Sequence, residues 1–190
     1  MKDKTNKAKH LFISGEKGIG KSTLLKYLVE KNLDRPLDQE NIKKGRLSGF
    51  LTRKLPSPKG EGNGFSTYIL RVRGSFEDID QPSYENMLFY CGDPNRIENS
   101  LEKFNSLGCE MLAQVQDGDL VLMDELGPAE SKAEKFQQRV FDLLDGKLGQ
   151  VSVYGVLQKA DSEFLDKIGK REDVRLIYLT LENRDQFYED

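Results

Sequence analysis

Apolar positions along the chain fall into short runs separated by amphipathic stretches. His10–Ser14 (HLFIS) is a strand-length apolar run that ends in a glycine-rich turn. Over Ser22–Glu30, Leu24, Leu25 and Leu28 return on one side of a 3.6-residue period, which predicts a helix. The polar stretch 33–46, with Pro36 and Gly45, reads as a surface loop. Leu47–Lys54 and Phe65–Val72 are strand-like and flank LPSPKGEGNG, a segment too rich in breakers to be anything but a loop, so the pair predicts a β-hairpin with a long tip. Asn86–Tyr90 (NMLFY) predicts a further strand, closed by the Gly92-Asp93-Pro94 turn.

In the second half, helix and strand patterns alternate. Leu107–Gln116 carries Leu107, Met111, Leu112 and Val115 on one side and reads as a helix. Leu120–Met123 is apolar throughout and ends in acids, as a parallel strand buried on both faces does. Ala129–Asp145 repeats the helical period through Phe136, Val140, Phe141 and Leu144, with Gly146 where a helix-terminating glycine belongs. Val151–Leu157 reads as strand, Asp161–Ile168 as helix, Val174–Leu181 as strand and Glu182–Tyr188 as a short helix. This alternation predicts βαβ units and a parallel sheet. No internal repeat and no linker is visible, so 1–190 is expected to be a single domain with 1–9 as a flexible tail.

Composition narrows the function classes. A chain of 190 residues with 29 basic and 32 acidic side chains has a net charge of −3, which argues against a broad nucleic-acid footprint. With 37% hydrophobic and 32% charged residues it has the make-up of a soluble folded protein. No run approaches the roughly 18 apolar residues of a membrane span, and no secretory leader is evident at the start. Two cysteines, Cys91 and Cys109, are too few for a disulfide framework or a zinc site, so a reduced cytoplasmic protein is expected.

The chemistry begins at Gly15-Glu16-Lys17-Gly18-Ile19-Gly20-Lys21-Ser22, which fits G-x-x-x-x-G-K-[ST] at every fixed position. In such a phosphate loop, glycines let successive backbone N–H groups turn inward around a phosphate. Lys21 brings positive charge to the β- and γ-phosphates, the Ser22 hydroxyl can ligate Mg²⁺, and the helix that continues through Thr23 adds its positive dipole end. The motif follows a strand and opens a helix, the context its mechanism requires. A nucleoside di- or triphosphate is therefore the expected ligand, bound by residues 15–23.

Leu120–Met123 delivers Asp124 and Glu125 to the carboxyl end of its strand, where ligands of open α/β sheets bind. Asp124 is placed to hold Mg²⁺ together with Ser22, and Glu125 to act as general base on the attacking water. A GTPase reading competes. Asp124-Glu125-Leu126-Gly127 satisfies D-x-x-G, and Gln158-Lys159-Ala160-Asp161 approaches the guanine-reading N/T-K-x-D, with Gln at the wrong first position. Asp161 alternatively caps the helix that follows it.

The ordered blocks resemble the small P-loop nucleoside-triphosphatase family, which includes archaeal and bacterial nucleotide phosphatases and the cancer-related nucleoside-triphosphatase. FISGEKGIGKSTLLKYL is similar to the family's strand, phosphate loop and helix. Gly49–Leu55 (GFLTRKL) with Gly64-Phe65 resembles its "GF-x-T" hairpin, and Met123–Glu130 (MDELGPAE) its "DE-[IL]-G-x-x-E". Leu179–Asp185 (LTLENRD) is similar to its final strand and "ENR" end, whereas residues 86–118 do not align with the pattern. The resemblance implies a three-layer αβα P-loop fold with a mostly parallel sheet and an added hairpin after the first helix. It also implies Mg²⁺-dependent hydrolysis of nucleoside triphosphates, ATP and GTP among them, with little base preference. Gly15, Gly20, Lys21 and Ser22 match the phosphate and metal positions, and Asp124 and Glu125 the metal and water positions. Glu130 matches a family acid without an assigned role.

Among lesser candidates, Arg53 and Thr52 lie in the hairpin near the expected γ-phosphate, and Arg184 is able to stack on a base. His10, the sole histidine, has no partner for a metal site. Two rival classes stay open at this level: a small kinase, whose arginine-bearing lid would have to be DKIGKREDV (Asp166–Val174), and a nucleotide switch acting on a protein partner that the sequence does not name.

Overall fold

A computed structural model of the chain describes residues 8–33, 46–57 and 64–188. Strand β1 (His10–Gly15) leads through the phosphate loop into helix α1 (Lys21–Leu33). Strands β2 (Leu47–Pro56) and β3 (Phe65–Arg73) form the expected hairpin, followed by β4 (Ser75–Ile79) and β5 (Met87–Tyr90). Helix α2 (Arg96–Lys103) runs on through a π-helical turn, Phe104–Gly108, into α3 (Cys109–Ala113). Then come β6 (Leu120–Leu126), a 3-10 turn at Glu130–Lys132, α4 (Glu134–Leu144), β7 (Ser152–Gln158), α5 (Glu163–Gly169), β8 (Val174–Leu179) and a last 3-10 turn at Arg184–Phe187.

The strands make one eight-stranded sheet in the order β4-β3-β2-β6-β7-β1-β8, with β5 also paired to β3. The β2-β6-β7-β1-β8 portion is parallel, and the antiparallel pairings are confined to the β3 edge. This is the expected α/β architecture with its added hairpin. Both faces are covered, so the parallel strands read as apolar runs rather than alternations. On one face Leu24, Leu25 and Val29 of α1 pack against Ile13, Leu51, Leu122 and Val156. On the other, α3, α4 and α5 bring Met111, Leu112, Phe136, Val140, Phe164 and Ile168 onto Phe12, Phe50, Met123 and Val153. Phe50, Phe104 and Phe136 touch one another with ring centroids 5.1–6.2 Å apart, in the tilted and edge-on geometries that aromatic quadrupoles favour.

One strand position admits only glycine. Gly49 of β2 has φ +99°, and a Cβ there would lie 2.2 Å from the Leu122 carbonyl oxygen of the neighbouring β6. That contact explains the first residue of the GF-x-T block in backbone terms.

Three elements differ from expectation. Strand β4 is not among the expected strands, because it is a short edge strand with only Phe76 and Ile79 apolar and part-buried, and its pairing with β3 is irregular. The helix expected from Leu107 begins at Arg96, since α2 is so polar that it buries only Ser100. The helix expected over Ala129–Asp145 is broken at Ala133, where ψ is 82°. The predicted tail residues 1–7, most of the 33–46 loop and tip residues 58–63 lie outside the described residues; Lys9 already donates its N–H to the Asp173 carbonyl.

At the pole opposite the phosphate loop, His10 is sealed in. Its Nδ1 accepts from the Val153 N–H at 3.1 Å and its Nε2–H donates to the Leu144 carbonyl at 3.2 Å, which fixes the neutral tautomer. Burial pushes its pKa from the ordinary 6.5 to about 4, against the opposing pull of Asp173. Because the folded value is the lower one, the unfolded chain takes up the proton first. Stability is thus present above about pH 6.5 and lost as pH falls toward about 4, by up to about 3 kcal/mol. In urea titrations His10→Leu should be about 1–3 kcal/mol less stable than the parent at neutral pH through two unpaired backbone groups, and this gap should shrink as pH falls toward about 4.

Candidate functional site

The site is assembled at the carboxyl end of the parallel strands. Gly15 closes β1 between Gln158 of β7 and Leu179 of β8. A Cβ at Gly15 would stand 2.5 Å from the Leu179 carbonyl oxygen, so the turn out of the sheet needs a residue without one. Glu16, Lys17 and Gly18 are exposed on the loop, while Ile19 is buried and anchors it to the α1 face. Gly18 and Gly20 both have positive φ. Lys21 is buried at the first position of α1, and its ammonium donates to the carbonyls of Gly15 at 3.1 Å and Glu16 at 2.9 Å. Ser22 and Thr23 lie exposed on the same turn, which holds no acidic residue to offset the positive end of the helix.

The acidic strand meets this loop directly. The Ser22 hydroxyl donates to Asp124 Oδ1 at 3.0 Å. Along β6, Val121 and Met123 face one core and Leu120 and Leu122 the other, yet Leu126 returns to the face of Val121 and Met123. The register jumps between Met123 and Leu126, so Asp124 and Glu125 sit on a β-bulge. Bulges re-aim side chains at sheet ends. Here the bulge gives the two neighbouring acids different partners: Asp124 turns to Ser22, and Glu125 Oε1 accepts from Gln158 Nε2 at 2.5 Å.

Burial pushes the Asp124 carboxyl up to about 6; the neighbouring Glu125 adds to this, while the Ser22 hydrogen bond and the charges of Arg53 and Lys21 oppose it. Glu130 lies buried below the following turn, where its carboxylate accepts the Gly127 N–H at 2.7 Å, and burial raises it to about 7. Among the described residues no group of three or more His, Cys, Asp and Glu side chains could hold a metal ion. Ser22 Oγ and Asp124 Oδ1, 3.0 Å apart, are oxygen donors that meet beside the loop and could share a cation.

Other residues singled out in the sequence fall as follows. Arg53, exposed on β2, lies two residues beyond Leu51, the register partner of Asp124, with Thr52 half-buried between them. Arg184 is half exposed and pairs with Asp185 at 3.4 Å. Asp161 is not the cap of α5; that role falls to Ser162, whose Oγ accepts from the Leu165 N–H. Gln158 and Lys159 reach the site through Glu125 and Glu16, and Asp161 lines a cleft with Ser131, Ser162 and Phe164. The sequence showed Gln158 only as a mismatch in the guanine-reading block and gave it no role at the acids, and it left Glu130 without a role.

With this geometry in place, relatives become informative. The profile of the NTPase family matches residues 10–190. The chain belongs to that family. Within the NTPase family it is 28% identical to nucleoside-triphosphatase THEP1 of Methanocaldococcus jannaschii, over 95% of this chain and 93% of that protein. It is 28% identical to THEP1 of Thermotoga maritima, over 92% and 88%, and 23% identical to the mouse cancer-related nucleoside-triphosphatase homolog, over 96% and 94%. The crystal structure of THEP1 from Aquifex aeolicus shares the fold, with a TM-score of 0.51, 24% identity and 95% of both chains covered.

Glu130 of this NTPase-family chain supplies a test on stability. Its folded pKa is raised from 4.5 to about 7, so the folded state holds the proton longer than the unfolded one. The stabilising contribution is present below about pH 4.5 and lost as pH rises through about 7, on the order of 3 kcal/mol. Because His10 and Asp124 titrate over the same range, the measure is the difference between two proteins: from pH 5 to pH 8 urea melts should show the parent losing stability relative to Glu130→Gln, by on the order of 2–3 kcal/mol, and a difference independent of pH would remove the assignment.

Proposed function

We propose that this protein hydrolyses nucleoside triphosphates, ATP and GTP among them, to the diphosphate and phosphate in a Mg²⁺-dependent reaction with little base selectivity. The observation that carries the reading is the 3.0 Å contact between Ser22 and Asp124, which joins a phosphate-loop helix to an acidic strand whose next residue is a glutamate. Family membership and the nucleoside-triphosphatase relatives support the same class.

Residues 15–23 bind the phosphates: loop N–H groups and the helix end face the oxyanions, and Lys21 gives up its two carbonyl contacts to reach them. Mg²⁺ suits Ser22 and Asp124, because hard oxygen donors numbering only one carboxylate leave room for phosphate oxygens and water. The raised carboxyl of Asp124 fits this as well, since a buried acid of that kind gains by facing a cation. When bound, the ion would neutralise charge on the β- and γ-phosphates. Glu125 orients a water in line with the γ-phosphorus and takes its proton as the bond to the β-phosphate oxygen breaks. Arg53, whose charge acts on Asp124, is the candidate among the described residues for an arginine facing developing charge.

Two observations bear on the rival classes. Asp161 lines a cleft with Ser131, Ser162 and Phe164 while Gln158 and Lys159 hold Glu125 and Glu16, which supports a reading without a guanine-specific arrangement. The proposed kinase lid arginine, Arg171, is held bidentately by Asp173 at 2.7 and 2.8 Å and by Asp145 at 2.9 Å, next to the start of β8 and so at the far pole. A reduced, cytoplasmic setting belongs to the same reading. No helix of the described residues is long and apolar enough to cross a membrane.

Phosphate release from ATP, GTP, CTP and UTP, each with and without Mg²⁺, tests the proposal. Slow, metal-dependent release from several nucleotides is expected. Glu125→Gln should lower kcat at least about a hundredfold with nucleotide affinity little changed, and Lys21→Ala should abolish binding or turnover. Equal release by the parent and Glu125→Gln proteins would sink the role of Glu125, and tight binding without any release would point to a switch.

A further inference from the structure

Strand β7 lies between the strand that carries the phosphate loop and the strand that carries the acids. Two consecutive residues at its end turn to these opposite neighbours: Gln158 Nε2 donates to Glu125 Oε1 at 2.5 Å, and Lys159 Nζ donates to Glu16 Oε1 at 2.6 Å. The second pair is largely exposed, at 71% and 73%, and such surface pairs contribute little. The first joins half-buried groups, where a hydrogen bond to an ionised acceptor is stronger and directional.

The Gln158 amide is itself confined. A Cβ built on Gly127 would stand 2.7 Å from its Cδ, 2.8 Å from Oε1 and 2.9 Å from Nε2. Gly127 therefore clears the space that the amide fills, and its own N–H is tied to buried Glu130. The glycine of the D-x-x-G block thus has a packing reason, and the glutamine that spoils the guanine signature has a partner.

We propose that Gln158 is a positioning residue for hydrolysis: its amide fixes one oxygen of Glu125 so that the other faces the attacking water. The proposal rests on the reading of Glu125 as the group that orients that water. An uncharged amide suits the task, because it donates to a carboxylate without supplying a proton that would compete with the one Glu125 takes. It also costs none of the negative charge that makes the carboxylate a base.

The experiment compares Gln158→Met and Gln158→Glu, each alone and combined with Glu125→Gln. ATP hydrolysis with Mg²⁺ is followed in steady state and single turnover, and a non-hydrolysable ATP analogue is titrated by calorimetry. Each Gln158 variant should lose about tenfold or more in kcat, the scale expected for misplacing a reacting group. KM and the analogue's Kd should stay within about threefold, and Glu125→Gln should lose nothing further when Gln158 is changed, because the two act as one unit. Analogue binding reports folding, and Gln158→Glu, which keeps the side chain's size, carries the test if the methionine variant is insoluble. Near-parent kcat in the Gln158 variants with inactive Glu125→Gln would overturn this proposal alone, as would a loss confined to Kd or an independent loss in the double variants. Full activity in Glu125→Gln would overturn the reading of Glu125 and this proposal with it.

Discussion

The hydrogen bond from Ser22 to Asp124 spans two strands that do not touch. Strand β7 separates β1 from β6, so their backbones lie roughly 9–10 Å apart. The phosphate loop has to arch over the intervening strand for the first turn of α1 to reach the acid. Several features follow from that demand. Gly15 leaves the sheet where a side chain would strike β8, Ile19 pins the loop to the α1 layer, and the bulge in β6 presents two adjacent acids where a regular strand would send them to opposite faces. The end of β7, lying under the arch, is the natural place for side chains that speak to both sides.

The two faces of the sheet divide the work unequally. One helix, α1, covers the face next to the phosphate loop, while α2 to α5 cover the other with the aromatic contact of Phe50, Phe104 and Phe136. The more deeply packed face carries no residue of the phosphate loop. Chemistry and cohesion are thus assigned to different layers, joined through the strands that run between them.

Much of this was legible in the residues. The phosphate loop announces itself because its glycines and lysine are needed at fixed spacing, and the parallel strands because burial on both faces leaves them apolar. What was hidden had a physical cause in each case. Strand β4 is a short edge whose two apolar side chains, Phe76 and Ile79, are only partly buried, and α2 is a polar lead-in whose anchor, Phe104, lies beyond its end. The break at Ala133 arises where the turn carrying Glu130 is fastened to Gly127, a contact no periodicity encodes. Gln158 stood out only as a mismatch to a different motif, since its role depends on β7 lying next to β6, which is a property of topology and not of spacing.

The sealed histidine has a use beyond its part in the fold. The chain has one histidine and no tryptophan, so an isotope-labelled sample would show a single imidazole signal. With both ring nitrogens engaged by backbone groups of β7 and the end of α4, that signal above the range where His10 takes up a proton reports chiefly on the contact between the strand starts and the helix above them. It is a built-in spectroscopic marker at the pole farthest from the nucleotide loop. Any response of that signal to a bound nucleotide would measure how far the sheet transmits an event from one end to the other.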